Sequence, residues 1–569
     1  MKKLFFSFIL FSALLFSTTY YVRTDGGTGT QCNGLADAPY PGSGDSQNCA
    51  WAHPFWALND SGEWKIRGGD TLIIGPGSYM IGYGAPNTSE WCGAEWAESC
   101  VLPPIPSGNS VSPTKILGAG YDSGCTNPPE LWATQRIYQV LSLDGTSNAE
   151  IQCLEITDHS SCVDFHSNPS VACNRNGYPY GDWASNGIFA YNSSNVLLKN
   201  LNIHGLAENC LATAALSNWT LENVRLAGCG WAGWNGEYGD NPSNSGTMHF
   251  KNLTVEWNGC AETYPGEQPD HCWAQSRGGY GDGVGFPRTG GHWIIEDSVF
   301  RYNTSDGLDL LYVGVGYPDT TIELNRVKGY GNAGNQIKLG GTSIIKNMLS
   351  VGNCAFFWQK PFAQEFGSFD EGDTCRAGGA SVSINLGQRD YARIINSTIA
   401  SQGWALIEAQ CITKDFPDEP DCQGTEYLEI KNSIFRGYED YCVGGGNLTD
   451  FIGDLDPYGF TRGKVDYNII YNADYDVCPQ GPHDICQNPL LVNDNLDSFD
   501  GHLKQGSPAI DRGTSEGAPS DDLDGNARPQ GMGYDIGAYE YFQQGEVLYL
   551  LQQKKEEQLA QTGLQTLWF

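Results

Sequence analysis

Two aspartates three residues apart, Asp306 and Asp309, lie in the stretch NTSDGLDLLY (303–312), and Lys338 follows in GNQIKLGG. A third acid, Asp282, precedes them in GDGVGF (281–286). Carboxylates beside an amine can bind a cation, work as an acid–base pair on a glycosidic bond, or form a solvated ion pair. Acids held close repel one another and titrate upward unless a cation sits among them. Outside a cell the natural cation is calcium, which is satisfied by carboxylates and carbonyls. Which chemistry applies depends on whether the chain brings these four residues together.

The element that positions them is a repeat. One phrase recurs as VLLKNLNIHG (196–205), WTLENVRLAG (219–228), MHFKNLTVEWNG (248–259) and WIIEDSVFRYN (293–303). It continues as TIELNRVKGYGN (321–332), SIIKNMLSVGN (343–353), ARIINSTIASQG (392–403) and YLEIKNSIFRGY (427–438). Each copy is a short alternating strand, an Asn or Asp, and a second short strand. The central residues are Asn200, Asn223, Asn252, Asp297, Asn325, Asn347, Asn396 and Asn432. The period is about two dozen residues, or twice that, plus insertions. This predicts an all-β chain, a right-handed single-stranded parallel β-helix with disulfide-pinned loops, rather than a β-sandwich. Asn at the corners tolerates left-handed backbone and can bond to its copy one coil away.

Aligning the coils on these corners puts Asp282, Asp306 and Asn335 in one column and Gly285, Asp309 and Lys338 in the next. Neighbouring coils lie about 4.8 Å apart, so three acids and one amine are expected on one solvent-facing strip.

These motifs resemble the core of pectate lyases of polysaccharide lyase family nine. That family carries Gly-Asp-Gly, Asn-Ser-Asp-Asp-Gly-x-Asp-Leu and Gly-Asn-Gly-x-Lys-Leu-Gly-Gly on successive coils, in the order found here over residues 281–341. The resemblance implies Asp282, Asp306 and Asp309 as Ca2+ ligands and Lys338 as catalytic base. Ser305 stands where the family has a further aspartate. The implied reaction is β-elimination from a uronate-containing, pectate-like acidic polysaccharide, and a lysine base favours alkaline solution. Arg277, Arg288, Arg301 and Asn335 are placed in sequence to bind the acidic sugar chain.

Two other functions compete. A glycoside hydrolase on the same fold would use Asp306 and Asp309 as acid and base and need no Lys338. A non-catalytic surface protein would only bind glycans, since fold alone does not fix function. His159, Asp164, His166 and His204 form a further polar group, read mainly as a disulfide-pinned loop beside the groove. Trp231, Trp234, Trp257 and Trp273 precede the site and suit either sugar stacking or gap filling.

Composition sets the compartment. MKKLFFSFILFSALLFSTT (1–19) reads as a secretory signal peptide. The 19 cysteines suggest local disulfides at Cys92/Cys100, Cys162/Cys173, Cys260/Cys272, Cys354/Cys375, Cys411/Cys422 and Cys478/Cys486, with Cys442 left over. A formal net charge of −34 excludes nucleic acid as a partner, and no later segment is apolar enough for membrane insertion. A secreted or cell-surface monomer is expected. Asn303-Thr-Ser is a glycosylation sequon inside the proposed site, which favours bacterial export. The chain divides into the signal peptide, a Cys/Trp-rich cap (20–67), the β-helix (68–500), a terminal module (501–542) and a tail (543–569). Asp522-Leu-Asp524-Gly-Asn526 in the module reads as a tight turn rather than a calcium loop.

Overall fold

A computed structural model describes residues 17–542 except 89–91, 165–172, 238–242, 273–280, 359, 361–378, 413–418, 421, 423, 441–446, 454–460 and 475–477. Residues 1–16 of the leader, the tail, His166, Trp273, Arg277, Cys375 and Cys442 lie outside the described residues.

Short strands stack in parallel, coil upon coil, into three faces. The first face runs from Thr19–Gly27 and Thr71–Ile74 to Tyr427–Lys431 and Thr461–Asp466. The second runs from Ser78–Ile81 and Glu130–Ala133 to Ile434–Gly437 and Ile469–Tyr471. The third has ten strands, from Ile137–Ser142 to Asp450–Gly453. This is a parallel β-helix. Thr19 pairs with Thr71 and Val22 with Ile74, so the solenoid begins at the last residue read as leader and runs into the segment read as a cap. Trp51, Phe55 and Leu58 of that segment are buried and close the core at this end. Inward residues of every coil fill one continuous apolar column, in which Trp219, Trp234, Phe250, Phe286 and Trp293 pack ring against ring.

The corners carry the expected chemistry. In four coils the first two faces form one bent strand, Ser147–Asp158, Ser194–His204, Ser217–Ala227 and Ser245–Glu256. Each bends at a left-handed residue: Cys153 (φ 56°), Asn200 (53°), Asn223 (55°) and Asn252 (55°). Asn223 donates to Asn200 at 3.0 Å and Asn252 to Asn223 at 2.6 Å, so each amide satisfies its copy one coil away. One corner differs from the reading: the left-handed residue after Asp297 is Arg326 (φ 56°), not Asn325. Arg326 bonds back to Asp297 and across to Asp521, which offsets the cost of a long side chain there.

Eight disulfides occur among the described residues. Five match the expected local pairs, and Cys32–Cys49, Cys125–Cys153 and Cys210–Cys229 are additional. No helix among the described residues is long and apolar enough to cross a membrane.

The terminal module does not extend the stack; it folds back along the outer flank. Ala538 donates to Thr398 at 3.0 Å, Asn396 to the Asp535 carbonyl at 3.0 Å and Asn432 to the Thr514 carbonyl at 2.7 Å. Leu523, Ala538 and Tyr539 pack on Leu349, Val351 and Ala400. Asp522 accepts from Asp524 and Asn526 as an Asx-type turn, as expected. Burial pushes the Asp535 carboxyl up to about 7, against the backbone N–H of Asp511, with Glu540 adding to the rise. A carboxyl raised on folding gives stability that is whole below about pH 4 and lost as pH climbs through its folded value. Thermal unfolding of the wild type and Asp535→Asn between about pH 4 and about pH 7 is therefore expected to show the gap shifting toward the variant as pH rises. A constant gap would reject the assignment.

Candidate active site

The third face builds the site. Val284, Leu308 and Ile337 pair across adjacent coils and point inward, each with no exposure. Strand alternation then turns Gly285, Asp309 and Lys338 outward as direct cross-strand neighbours, as the alignment predicted. Coils approach closely here because of glycine. A Cβ on Gly283 would sit 2.4 Å from the Gly307 carbonyl, and one on Gly307 2.5 Å from that of Gln336.

Asp282 and Asp306 stand at the turn entering these strands. Asp282 Oδ1 accepts the Asp306 N–H at 3.0 Å, and Asp306 Oδ1 accepts the Asn335 N–H at 2.7 Å. Lys338 Nζ donates to Asp306 Oδ2 at 2.9 Å and to Asp309 Oδ2 at 2.8 Å. One oxygen from each of the three aspartates falls within 4.8 Å of the others. The four residues thus form one cluster.

The cluster is drier than the sequence suggested. Asp282 (2 % exposed) and Asp306 (5 %) are buried, because each spends one oxygen on the next coil's backbone. Asp309 and Lys338 are the heads that solvent reaches, with side chains 17 % and 13 % exposed. Burial alone would lower the lysine, but Asp306, Asp309 and Asp282 outweigh it and hold its pKa well above the usual value. Burial also raises Asp309, with Lys338 opposing and Asp306 adding.

The donor set fits calcium. Three carboxylates face one ammonium, leaving two negative charges that a divalent ion would balance. Asp282 Oδ2 overlooks Gly285, where a Cβ would come within 3.2 Å of it, so the glycine keeps that oxygen clear. Asn335 Oδ1 is buried and makes no hydrogen bond among the described residues, a neutral oxygen beside Asp306.

Other expected site residues fall elsewhere. Asn335, read as touching substrate, has no exposure and donates Nδ2 to the Ala380 carbonyl; it supports Asp306 from beneath. Arg301 is on the second face, held by Glu256 at 2.6 Å and Tyr330 at 2.9 Å, away from the cluster. Arg288 follows the Gly285 strand and reaches Glu419 at 3.6 Å. Trp234 is core, and Trp257 packs on Tyr302, Phe356 and Phe357, so both fill gaps rather than offer a sugar platform. Asn303 has no exposure: Asn258 donates to it at 2.8 Å, and it donates to Asn332 at 2.8 Å. Its sequon cannot receive a glycan in the folded chain, so it says nothing about the source.

Three neighbours went unread. Ser383 and Glu408 continue the Lys338 column, with Ser383 donating to Glu408 at 3.0 Å. The long insertion after Cys354 hid their register. The third, Glu237, has a carboxyl raised by desolvation first and by the charge of Asp309 second.

No known family model matches this sequence, and no curated protein matches it closely enough to count as a relative. Among solved structures it is similar to a pectate lyase, Pel9A, at 14% identity, covering 92% of this chain and 97% of that one, with TM-score 0.40. A rhamnogalacturonan lyase matches at 13% identity over 88% and 97%, TM-score 0.41. The A-module of a mannuronan C-5 epimerase from Azotobacter vinelandii matches at 11% over 74% and 91%, TM-score 0.37. At such values the likenesses carry no argument about chemistry, and the functional reading rests on the cluster itself.

Proposed function

We propose that this is a secreted, calcium-dependent lyase that cleaves a uronate-containing, pectate-like polysaccharide by β-elimination. The observation that carries the reading is the Lys338 ammonium, 2.8 and 2.9 Å from two of three convergent aspartates on the outer side of one sheet. Eight disulfides and the signal-like leader support export.

Asp282, Asp306 and Asp309 would hold the ion. Bound there, calcium supplies positive charge that neutralises the substrate carboxylate and lowers the affinity of Lys338 for its proton. Lys338 Nζ, freed of that proton, takes the hydrogen α to the uronate carboxylate. The electron pair forms the ring double bond, the glycosidic C–O bond breaks, and the departing oxygen picks up a proton. In the chain alone the acids keep Lys338 protonated. Activity is therefore expected to rise into the alkaline range and to need the ion.

The hydrolase alternative is weaker, because an acid–base pair needs two accessible carboxyls and Asp306 is buried against the Asn335 N–H. The deciding test is incubation with a panel of polyuronates at alkaline pH, following ultraviolet absorbance of the unsaturated product. Absorbance should grow with calcium, stop with chelator and return on adding calcium. Reducing ends without absorbance would support the hydrolase, and no cleavage of any polymer would leave a glycan-binding protein.

A further inference from the structure

A second cluster lies on the second face, beneath the hairpin Cys260–Thr263/Gln268–Cys272 that the Cys260–Cys272 disulfide closes. At its centre is His204, the last residue of Ser194–His204 and only 1 % exposed. Both ring nitrogens are turned toward carboxylates. Nδ1 is 2.5 Å from Glu262 Oε1; Nε2 is 3.1 Å from Glu155 Oε1 and 3.9 Å from Glu267 Oε1. One atom each from Glu155, His204 and Glu267 fall within 4.8 Å of one another.

We propose that His204 Nε2, Glu155 and Glu267 form a binding site for a divalent transition metal such as zinc, separate from the aspartate cluster. Three features carry this. First, the ring nitrogens are divided between two carboxylates, Nδ1 on Glu262 and Nε2 on Glu155, so an ion entering at Nε2 would take the place of its proton while Glu262 holds Nδ1, the arrangement that orients metal-binding imidazoles. Second, charge is short by two among the described residues: Glu155, Glu256, Glu262 and Glu267 face Arg225 and Arg301 once the imidazole is neutral. Third, access is one-sided. Glu155 and Glu267 side chains are 28 % and 37 % exposed, while His204 and Glu262 form a dry floor. Zinc with bonds of about 2.1 Å would draw its ligands to about 3.4 Å apart, a small contraction from the present spacing. Imidazole among the ligands selects a transition metal over calcium, which takes oxygen alone. Arg225 donates to Glu267 Oε2 at 2.5 Å and leaves Oε1 for the ion, shared with the Asn202 amide at 3.5 Å. The ion would tie the hairpin to strands Ser147–Asp158 and Ser194–His204, three and two coils ahead of Asp282.

The test uses the mature full chain, stripped with chelator and titrated with Co2+ as a visible probe and then with Zn2+ in competition. One equivalent should bind, giving the intense cobalt absorption of a four-coordinate site that zinc erases. Glu267→Gln and Glu155→Gln, both partly exposed and nearly isosteric, should weaken uptake at least tenfold with unchanged circular dichroism, and Asp309→Asn should leave it unaltered. Absence of stoichiometric cobalt or zinc uptake overturns the proposal. So does uptake indifferent to both Gln variants, or lost in Asp309→Asn, which would put the ion among the aspartates. Because the readout is metal uptake, failure here leaves the lyase reading untouched, and the converse holds.

Discussion

Lys338→Met is expected to lower the elimination rate by about 10²–10⁴-fold, the usual worth of a positioned general base. The same change exposes a second effect. Lys338 is the cation facing Asp306 and Asp309 at 2.8–2.9 Å, and these sites are largely desolvated. Removing one partner of a buried pair costs about 3–5 kcal/mol, because the other charge is left uncompensated. In chelator the variant should therefore melt well below the wild type. In calcium the gap should narrow, since the ion then balances the aspartates in place of the ammonium. The pair of measurements separates roles: lost activity with stability restored by calcium assigns Lys338 to catalysis. Activity retained by a folded Lys338→Met protein would remove the lysine from the mechanism and the lyase reading with it.

A loss of stability of the same order is expected far from the site, at Arg528→Met. Arg528 and Glu540 form an ion pair with both side chains at 0 % exposure, 2.6 Å apart. Burial lowers the Arg528 pKa, with Glu540 opposing. The guanidinium also donates to the carbonyls of Gly537 and Asp521, each at 2.9 Å, while Glu540 accepts the N–H groups of Gln530 and Asp535. Truncating the arginine strands the carboxylate and two carbonyls together, at a cost of about 3–5 kcal/mol. The module should then release from the flank before the solenoid unfolds, seen as early hydrogen exchange over 511–541. Arg528→Met/Glu540→Leu should recover part of the loss, since an apolar pair removes the stranded charge. A single variant within about 1 kcal/mol of wild type would show that the pair holds nothing.

Much of this was legible in the chain. The corner phrase set the coil, and Val284, Leu308 and Ile337 turned the chemical residues outward through strand alternation alone. What escaped had physical causes. Arg326 could take the corner in place of Asn325 because Asp297 and Asp521 hold it, a contact with a residue nearly two hundred positions away. The dryness of Asp282 and Asp306 came from backbone donors on the following coil, which no side-chain pattern announces. Glu155 reaches His204 from the preceding coil, but Glu262 and Glu267 meet it only because a hairpin folds over the second face, and in sequence they share no spacing with it.

The buried amide column has one more implication. Asn258, Asn303, Asn332 and Gln336 bond in succession, each closing its rung on the next with paired contacts of 2.8–3.1 Å. The third-face strand after Asn258 begins only at Val284, whereas those after Asn303 and Asn332 begin at Leu308 and Ile337, yet all three lie in register. Foreign peptide grafted at this seam should thus be carried as cargo, with the frame on either side indifferent to its size.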